Sequence, residues 1–143
     1  MRKLILMLED DSDDRYITQS AVSELGLNVE LKFFSNSNQF LNFLSTTNTP
    51  SLLIVDYNSV PENGLEVLKK IKSTQTMTSV PVVILSDSNG EKYRNECYVY
   101  GASSFIKKPQ TVEGTTNKIE TFFKYWLNVV EVKPFFELSF VTP

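Results

Sequence analysis

The stretch Leu52-Leu53-Ile54-Val55-Asp56 decides the fold of this chain, because it sets an acidic residue directly after an uninterrupted apolar run. A short, continuously apolar run is typical of a strand that is buried on both faces of a parallel sheet. The run over residues 4–8 has the same character, and Glu9, Asp10 and Asp11 follow it at once. The sequence therefore predicts two buried parallel strands that both end in carboxyl groups.

Strand-like runs and helix-like stretches alternate along the rest of the chain. Further strands are predicted over residues 29–34, 80–85 and 105–106, and helices over residues 13–25, 37–44, 63–73, 91–100 and 111–127. Strands that alternate with helices in this way require right-handed crossovers and a parallel sheet. We therefore expect an α/β fold, a doubly wound five-stranded parallel sheet with five helices on its two faces. No repeat or linker divides the chain.

Composition excludes several classes of protein. The 143 residues carry a formal net charge of -3 with both signs interspersed, which gives no electrostatic footprint for nucleic acid or a membrane. The absence of histidine excludes Ser-His-Asp and Cys-His nucleophiles, histidine-bound zinc and a phosphohistidine donor. A single cysteine, Cys97, fits a reducing compartment, and the first apolar run meets Glu9 too early for a secretion signal. We expect a cytoplasmic protein.

Polar side chains follow the other predicted strands as well. Ser86 follows the fourth strand, and Lys108 and Pro109 follow the fifth. In such sheets the ligand site lies outside the carboxyl ends of the strands, so these residues should converge with Asp56 and the acids after the first strand. Carboxylates brought together repel one another unless a cation is present, and Mg²⁺, which prefers oxygen ligands, is the natural candidate.

With these features the chain resembles the receiver domains of response regulators in two-component signalling. The resemblance covers about residues 2–127. Its matching segments are Leu8-Glu9-Asp10, Leu53-Ile54-Val55-Asp56, Ile84-Leu85-Ser86 and Phe105-Ile106-Lys107-Lys108-Pro109. The resemblance implies the flavodoxin-like strand order 2-1-3-4-5, a receiver domain over residues 1–128 and a C-terminal extension over residues 129–143. The short remainder after Leu127 leaves no room for an output domain, so we expect a stand-alone regulator.

The resemblance also implies a chemistry. Asp56 would be the phosphoacceptor, with a phosphohistidine of a sensor histidine kinase or a histidine phosphotransfer protein as donor. Asp10 and Asp56 would ligate Mg²⁺ directly, together with the backbone carbonyl of Asn58, and Glu9 would act through coordinated water. The protein would catalyse only its own phosphorylation and dephosphorylation, so it is not expected to be an enzyme on other substrates.

Three further residues would respond to the phosphoryl group. Lys108 would pair with one of its oxygens, while Ser86 would hydrogen-bond another and move toward it. This movement would free room for Phe105 to rotate inward, a two-state change that alters the binding of an unknown downstream protein. In the family the peptide bond before Pro109 is often cis.

Plainer roles compete with some of these assignments. Asp10 or Asp11 can cap the first helix, where acids also suit the helix dipole. We assign the metal to Glu9 and Asp10 because they come first after the strand. Ser86 can be an ordinary strand-end hydroxyl, and Phe105 can be ordinary core.

Two positions depart from the family pattern. Pro61 comes one position later after Asp56 than is usual, although Gly64 keeps its usual distance. Asp87 follows Ser86, where the family mostly has a small residue, and its charge would repel a phosphodonor. These departures leave an alternative function, a phosphorylation-independent protein-interaction module. A flavodoxin fits less well, because the acids after the first strand disfavour a phosphate-binding loop there. An aspartate-nucleophile phosphatase would have its nucleophile directly after the first strand in an Asp-x-Asp pattern, and Asp11-Ser12-Asp13 comes too late for it.

Residues 129–143 continue beyond the end expected for a receiver. Phe136, Leu138 and Phe140 alternate with other residues, a period of two that predicts a strand with one apolar face. We expect this face to cover the chain's own surface. The alternatives are disorder and a homodimer formed by strand exchange.

Overall fold

The computed structural model describes residues 2–87 and 90–132. Its strands are β1 (Lys3–Leu8), β2 (Val29–Phe34), β3 (Leu52–Asp56), β4 (Val82–Ser86) and β5 (Ser104–Lys107). Its α-helices are α1 (Ser12–Glu24), α2 (Ser37–Thr46), α3 (Gly64–Ser73), α4 (Glu91–Val99) and α5 (Val112–Lys124). The strands pair in parallel in the order β2-β1-β3-β4-β5. The predicted doubly wound sheet and its strand order are confirmed.

The predicted start of the fourth strand is wrong by two residues. The sequence pattern begins it at Val80, whereas β4 begins at Val82. Pro81 between them has no N–H group to donate to a neighbouring strand. The Val80 N–H instead bonds to the Met77 carbonyl at 3.1 Å, at the end of a 3₁₀ turn over Gln75–Met77. Val80 is buried, but it belongs to the turn and not to the sheet.

The predicted last helix also differs from the structure. The α-helical part ends at Lys124, and a π-helical turn over Tyr125–Val129 follows it. The turn is closed by the Val130 N–H, which bonds to the Tyr125 carbonyl five residues back at 2.9 Å. This wider turn keeps Trp126 buried against the sheet while the chain leaves the helix.

The sheet separates two apolar layers, because successive side chains of a strand point to opposite faces. The layer that includes α5 contains, among others, Ile5, Met7, Leu52, Ile54, Val83, Phe123 and Trp126. The layer that includes α2 and α3 contains, among others, Leu4, Leu6, Leu8, Leu53, Val55, Ile84, Phe40 and Leu68. Since β1 and β3 are buried on both faces, only their ends are left for chemistry.

The chain after the π-helical turn is described as far as residue 132. Val130 and Val132 pack against the layer that includes α5. The predicted strand with Phe136, Leu138 and Phe140 lies outside the described residues, so self-packing and a homodimer stay predictions. No helix among the described residues is long and apolar enough to cross a membrane.

A close backbone approach at Gly64 fixes the loop between β3 and α3. The Gly64 N–H donates to the Tyr57 carbonyl at 2.8 Å. A Cβ atom at Gly64 would lie 2.7 Å from the Tyr57 Cα and 3.0 Å from the carbonyl oxygen of Asp56. Both are backbone atoms, which cannot move aside as the end of a flexible side chain can. The position of Asp56 therefore depends on glycine here.

We predict that Gly64→Ala lowers the free energy of unfolding by about 1–3 kcal/mol, because overpacking against backbone has no easy relief. Urea unfolding followed by circular dichroism measures the change. Gly26→Asn is the control, since Gly26 has a φ of +63° and open space at its Cβ position. Asparagine tolerates this left-handed region, so the control should change stability by less than about 1 kcal/mol. Wild-type stability of Gly64→Ala would contradict the close approach.

Candidate functional site

The candidate site lies where the chain leaves β1 and β3, at the carboxyl edge of the sheet. These strands are neighbours, and the chain continues from β1 to β2 on one side and from β3 to β4 on the other. In open α/β sheets ligands bind at this switch in strand order, because the connections diverge and leave a crevice. Leu8 pairs with Val55, so Glu9 and Asp56 emerge side by side.

Three carboxyl groups meet in this crevice. Glu9, Asp10 and Asp56 each offer an oxygen, and these oxygens all lie within 4.8 Å of one another. Glu9 is 1% exposed and Asp56 is 5% exposed, whereas Asp10 is open to solvent. Oxygen ligands that converge from a buried floor to an open rim suit a hard divalent cation, which relieves their mutual repulsion. The residues present therefore fit the predicted metal.

Backbone geometry fixes the orientation of Asp56. Its Oδ1 accepts a hydrogen bond from the Asn58 N–H at 2.9 Å. The Ser59 N–H donates to the Asp56 carbonyl at 3.2 Å, which closes a tight turn directly after β3. The turn brings the Asn58 backbone next to the carboxyl group, and the predicted role of the Asn58 carbonyl as a metal ligand stays a prediction.

Asp11 has a different role from the two acids that precede it, Glu9 and Asp10. Its Oδ1 accepts hydrogen bonds from the N–H groups of Asp13, at 2.8 Å, and Asp14, at 3.1 Å. Asp11 is thus the N-cap of α1, a position that favours aspartate because the first N–H groups of a helix have no partner within it. The acids that the sequence left open between capping and metal binding are divided: Asp11 caps, and Asp10 lies in the acidic group.

Lys108 joins the acidic group from the end of β5. Its Nζ donates to Glu9 Oε1 at 2.5 Å, Asp56 Oδ2 at 3.2 Å and Asp14 Oδ2 at 3.4 Å. Its backbone N–H donates to the Ser86 carbonyl at 2.8 Å, which ties the position to the end of β4. Only 14% of the lysine side chain is exposed, so these contacts are weakly screened.

The buried pair shifts the pKa values of both partners. Burial raises the pKa of Glu9 to about 8, against the opposing hydrogen bond and charge of Lys108. Burial alone would lower the pKa of Lys108, but the hydrogen bond to Glu9 and the charges of Asp56, Glu9 and Asp14 outweigh it and raise the pKa. Lys108 therefore keeps its proton and its positive charge in the site.

The two predicted switch residues are found near the site. Ser86 is fully buried at the end of β4, and Phe105 of β5 is half-buried. The Phe105 ring meets the Tyr57 ring edge-on with centroids 6.5 Å apart, and its N–H donates to the hydroxyl oxygen of Tyr98 at 3.1 Å. Phe105 is thus in contact both with the loop after Asp56 and with α4.

The peptide bond before Pro109 is trans, unlike the bond often found in the family. The cis peptide bond among the described residues is Val60-Pro61, in the loop with the shifted proline. Asp87 is exposed and lines a cavity of about 120 Å³ whose wall also includes Glu9 and Lys108.

Sequence reasoning missed two residues at the site. The helix dipole is a sufficient local explanation for Asp14, which lies in the first turn of α1, yet its side chain reaches Lys108. Tyr57 is, from the sequence, only part of the altered loop, yet its ring packs at a tilt against Tyr93 of α4 with centroids 5.0 Å apart. An aromatic directly after an acid at a strand end was the available signal.

Comparison with known proteins identifies the family. A family model described as the response regulator receiver domain matches residues 5–120. The chain belongs to the response regulator receiver family.

Individual receivers and response regulators match most of the chain. The two-component response regulator ORR5 of Oryza sativa is 30% identical over 105 residues, 73% of this chain and 77% of that protein. Response regulator Rcp1 of Synechocystis sp. is 24% identical over 134 residues, 90% of this chain and 91% of that protein. A receiver structure from Rhodospirillum rubrum has a TM-score of 0.85 at 26% identity and covers 92% of this chain and 97% of its own.

We predict that Asp10→Ala weakens Mg²⁺ binding more than Glu9→Ala or Asp11→Ala, because Lys108 already holds Glu9 and Asp11 caps α1. In metal-free buffer Asp10→Ala should raise the melting temperature, since it removes carboxylate repulsion. Asp11→Ala should instead lower the free energy of unfolding by about 1 kcal/mol, the usual cost of a lost cap. Calorimetric titration with Mg²⁺ and thermal melts separate the two roles. A larger loss of affinity in Asp11→Ala would reverse the assignment.

Proposed function

We propose that this receiver accepts a phosphoryl group on Asp56 in a Mg²⁺-dependent reaction and signals by changing its binding to a downstream protein. The donor is a phosphohistidine of a sensor histidine kinase or a phosphotransfer protein, which places the reaction in the cytoplasm. The observation that carries the proposal is the position of Asp56 at the switch in strand order, between two other carboxyl groups and Lys108.

The transfer is a displacement at phosphorus. A carboxylate oxygen of Asp56 forms a bond to phosphorus while the bond from phosphorus to the donor imidazole nitrogen breaks, and the electron pair of that bond stays on the nitrogen. Water later attacks the same phosphorus, which returns Asp56 and releases inorganic phosphate. The chain consumes no other substrate in this cycle, so it acts as a catalyst only on itself.

The residues around Asp56 prepare this displacement. The Asn58 N–H holds Oδ1 and Lys108 holds Oδ2, so the carboxylate is oriented before a donor arrives. The ammonium group of Lys108 can then donate charged hydrogen bonds to the oxygens of the incoming phosphoryl group. A bound Mg²⁺, held by Asp10, Asp56 and the Asn58 carbonyl with Glu9 acting through water, would neutralise charge on those oxygens. The solved structure of Rcp1 in a Mn²⁺-bound form supports a divalent ion in this fold.

The output surface proposed for the phosphorylated form is α4, β5 and α5. Phosphorylation would draw Ser86 toward the new oxygens and let Phe105 turn inward. Because the Phe105 N–H is bonded to Tyr98, and Tyr57 packs against Tyr93, a change at Asp56 has contacts through which it reaches α4. Tyr93 and Tyr98 are exposed, so a downstream protein can detect the change.

Asp87 favours a second candidate function. Asp87 is exposed and lines the same cavity as Lys108, where its negative charge would repel an anionic phosphodonor. A receiver that is phosphorylated poorly can still bind partners through the same surface of α4 and β5. The second candidate is therefore a module that binds its partner without phosphorylation.

We predict that the wild-type chain gains one phosphate when it is incubated with Mg²⁺ and acetyl phosphate, and that Asp56→Asn gains none. Intact-mass spectrometry measures the addition. Asp13→Asn makes the same change of charge at an exposed position of α1 and should be labelled like the wild type. Labelling that survives in Asp56→Asn would refute the site, and a wild type that no donor labels would favour the binding module.

We also predict that Asp87→Ala is labelled faster than the wild type, because it removes a negative charge from the path of the donor. Initial rates at matched concentrations of acetyl phosphate measure this. Glu91→Ala, which removes an exposed acid a few residues later on α4, serves as the control. Rates that are equal to or below the wild type would show that the Asp87 side chain stands clear of the site.

A further inference from the structure

Lys108 has one more carboxyl partner than the proposed chemistry uses. Glu9 and Asp56 belong to the acidic group that fits the metal, and Asp56 is also the proposed acceptor. Asp14 belongs to neither set, yet its Oδ2 lies 3.4 Å from Lys108 Nζ. An ammonium group has three hydrogens, so the three carboxyl partners account for all of its donors.

The position of Asp14 is fixed by its helix. Its N–H donates to the capping carboxylate of Asp11 at 3.1 Å, and its carbonyl accepts a hydrogen bond from the Thr18 hydroxyl at 2.8 Å. The residue therefore sits in the well-anchored first turn of α1, whereas Asp56 approaches Lys108 from the end of β3. The two carboxyl groups hold one ammonium from different elements of the fold.

The contacts of Asp14 and of a phosphorylated Asp56 with Lys108 compete, because both depend on the charge of the ammonium group. A phosphoryl group on Asp56 adds negative oxygens that need the hydrogens of Lys108, and each hydrogen retained by Asp14 is withheld from them. The carboxylate of Asp14 also repels those oxygens. Its side chain is 29% exposed, against 6% for Asp56, so its contact is the more screened of the two and the effect is moderate.

We propose that Asp14 is a positioning residue that restrains Lys108 and thereby slows phosphorylation of Asp56. The inference rests on the proposed function, and it adds a residue that sets the rate. Without Asp14 the lysine is free to follow the phosphoryl oxygens, while Glu9 still keeps it at the site. Both the rate of phosphorylation and the phosphorylated fraction at steady state should then rise.

The test compares Asp14→Asn with Asp13→Asn, the next residue of the same turn, which is exposed and has the same change of charge. With Mg²⁺ and acetyl phosphate, Asp14→Asn should be labelled about two- to fivefold faster than wild type. Asp13→Asn reports the effect of net charge alone and should stay close to wild type. Thermal melts of both variants show whether the fold is retained.

A second measurement needs neither metal nor donor. The ¹⁵Nζ chemical shift of Lys108, detected through its Cε protons, should change in Asp14→Asn and not in Asp13→Asn if Asp14 holds the ammonium. An unchanged shift in Asp14→Asn overturns the restraint. A labelled wild type with Asp14→Asn no faster than Asp13→Asn also overturns it and leaves the proposed function standing, whereas an unlabelled wild type overturns the proposed function itself.

Discussion

The ammonium group of Lys108 is the constraint on which the arrangement of the site depends. It bonds to Glu9, which is almost fully buried, across 99 positions of the chain. A buried acid that loses its hydrogen-bond partner lowers stability whether it stays ionised or takes up a proton, so the acid at the end of β1 needs the lysine at the end of β5. The same lysine reaches Asp56 on β3. One side chain thus joins the ends of the first, third and fifth strands, and the site is complete only when these strands have come together.

The sheet in turn explains why polar groups can collect at this edge without weakening the core. The interior of β1 and β3 is apolar on both faces, and the polar residues begin where the strands end. Burial of the strands supplies stability, because each large apolar side chain removed from water contributes about 1.5–3 kcal/mol. The carboxyl groups work against folding when no cation is bound. Stability and chemistry are therefore assigned to consecutive parts of the same strands.

This division also explains what the sequence could predict. Uninterrupted apolar runs revealed the strands, and because parallel strands end at one edge, the meeting of Glu9, Asp56 and Lys108 could be inferred without a structure. Boundaries were less accessible, since Pro81 shortens β4 because it lacks an N–H group, and no apolar pattern records a missing donor. Asp14 was missed for a related reason: an acid in the first turn of a helix has a sufficient local explanation, and its contact with Lys108 depends on the packing of α1 beside the end of β5. Contacts set by packing leave little trace in local sequence.

The altered loop after Asp56 shows how a departure from the family pattern can be accommodated by the surrounding structure. Although Pro61 is displaced by one position, the Val60 carbonyl accepts a hydrogen bond from the Ser37 N–H at 2.9 Å, and the Ser59 hydroxyl donates to the Glu62 carbonyl at 2.7 Å. These bonds anchor the loop to α2 and to itself, while Gly64 closes it against Tyr57. The Asn58 N–H still donates a hydrogen bond to Asp56 Oδ1. The displaced proline therefore changes the outer part of the loop and leaves the contact to Asp56 in place. A difference from other receivers in the rate of phosphorylation would come from the charged groups around Lys108 more than from this loop.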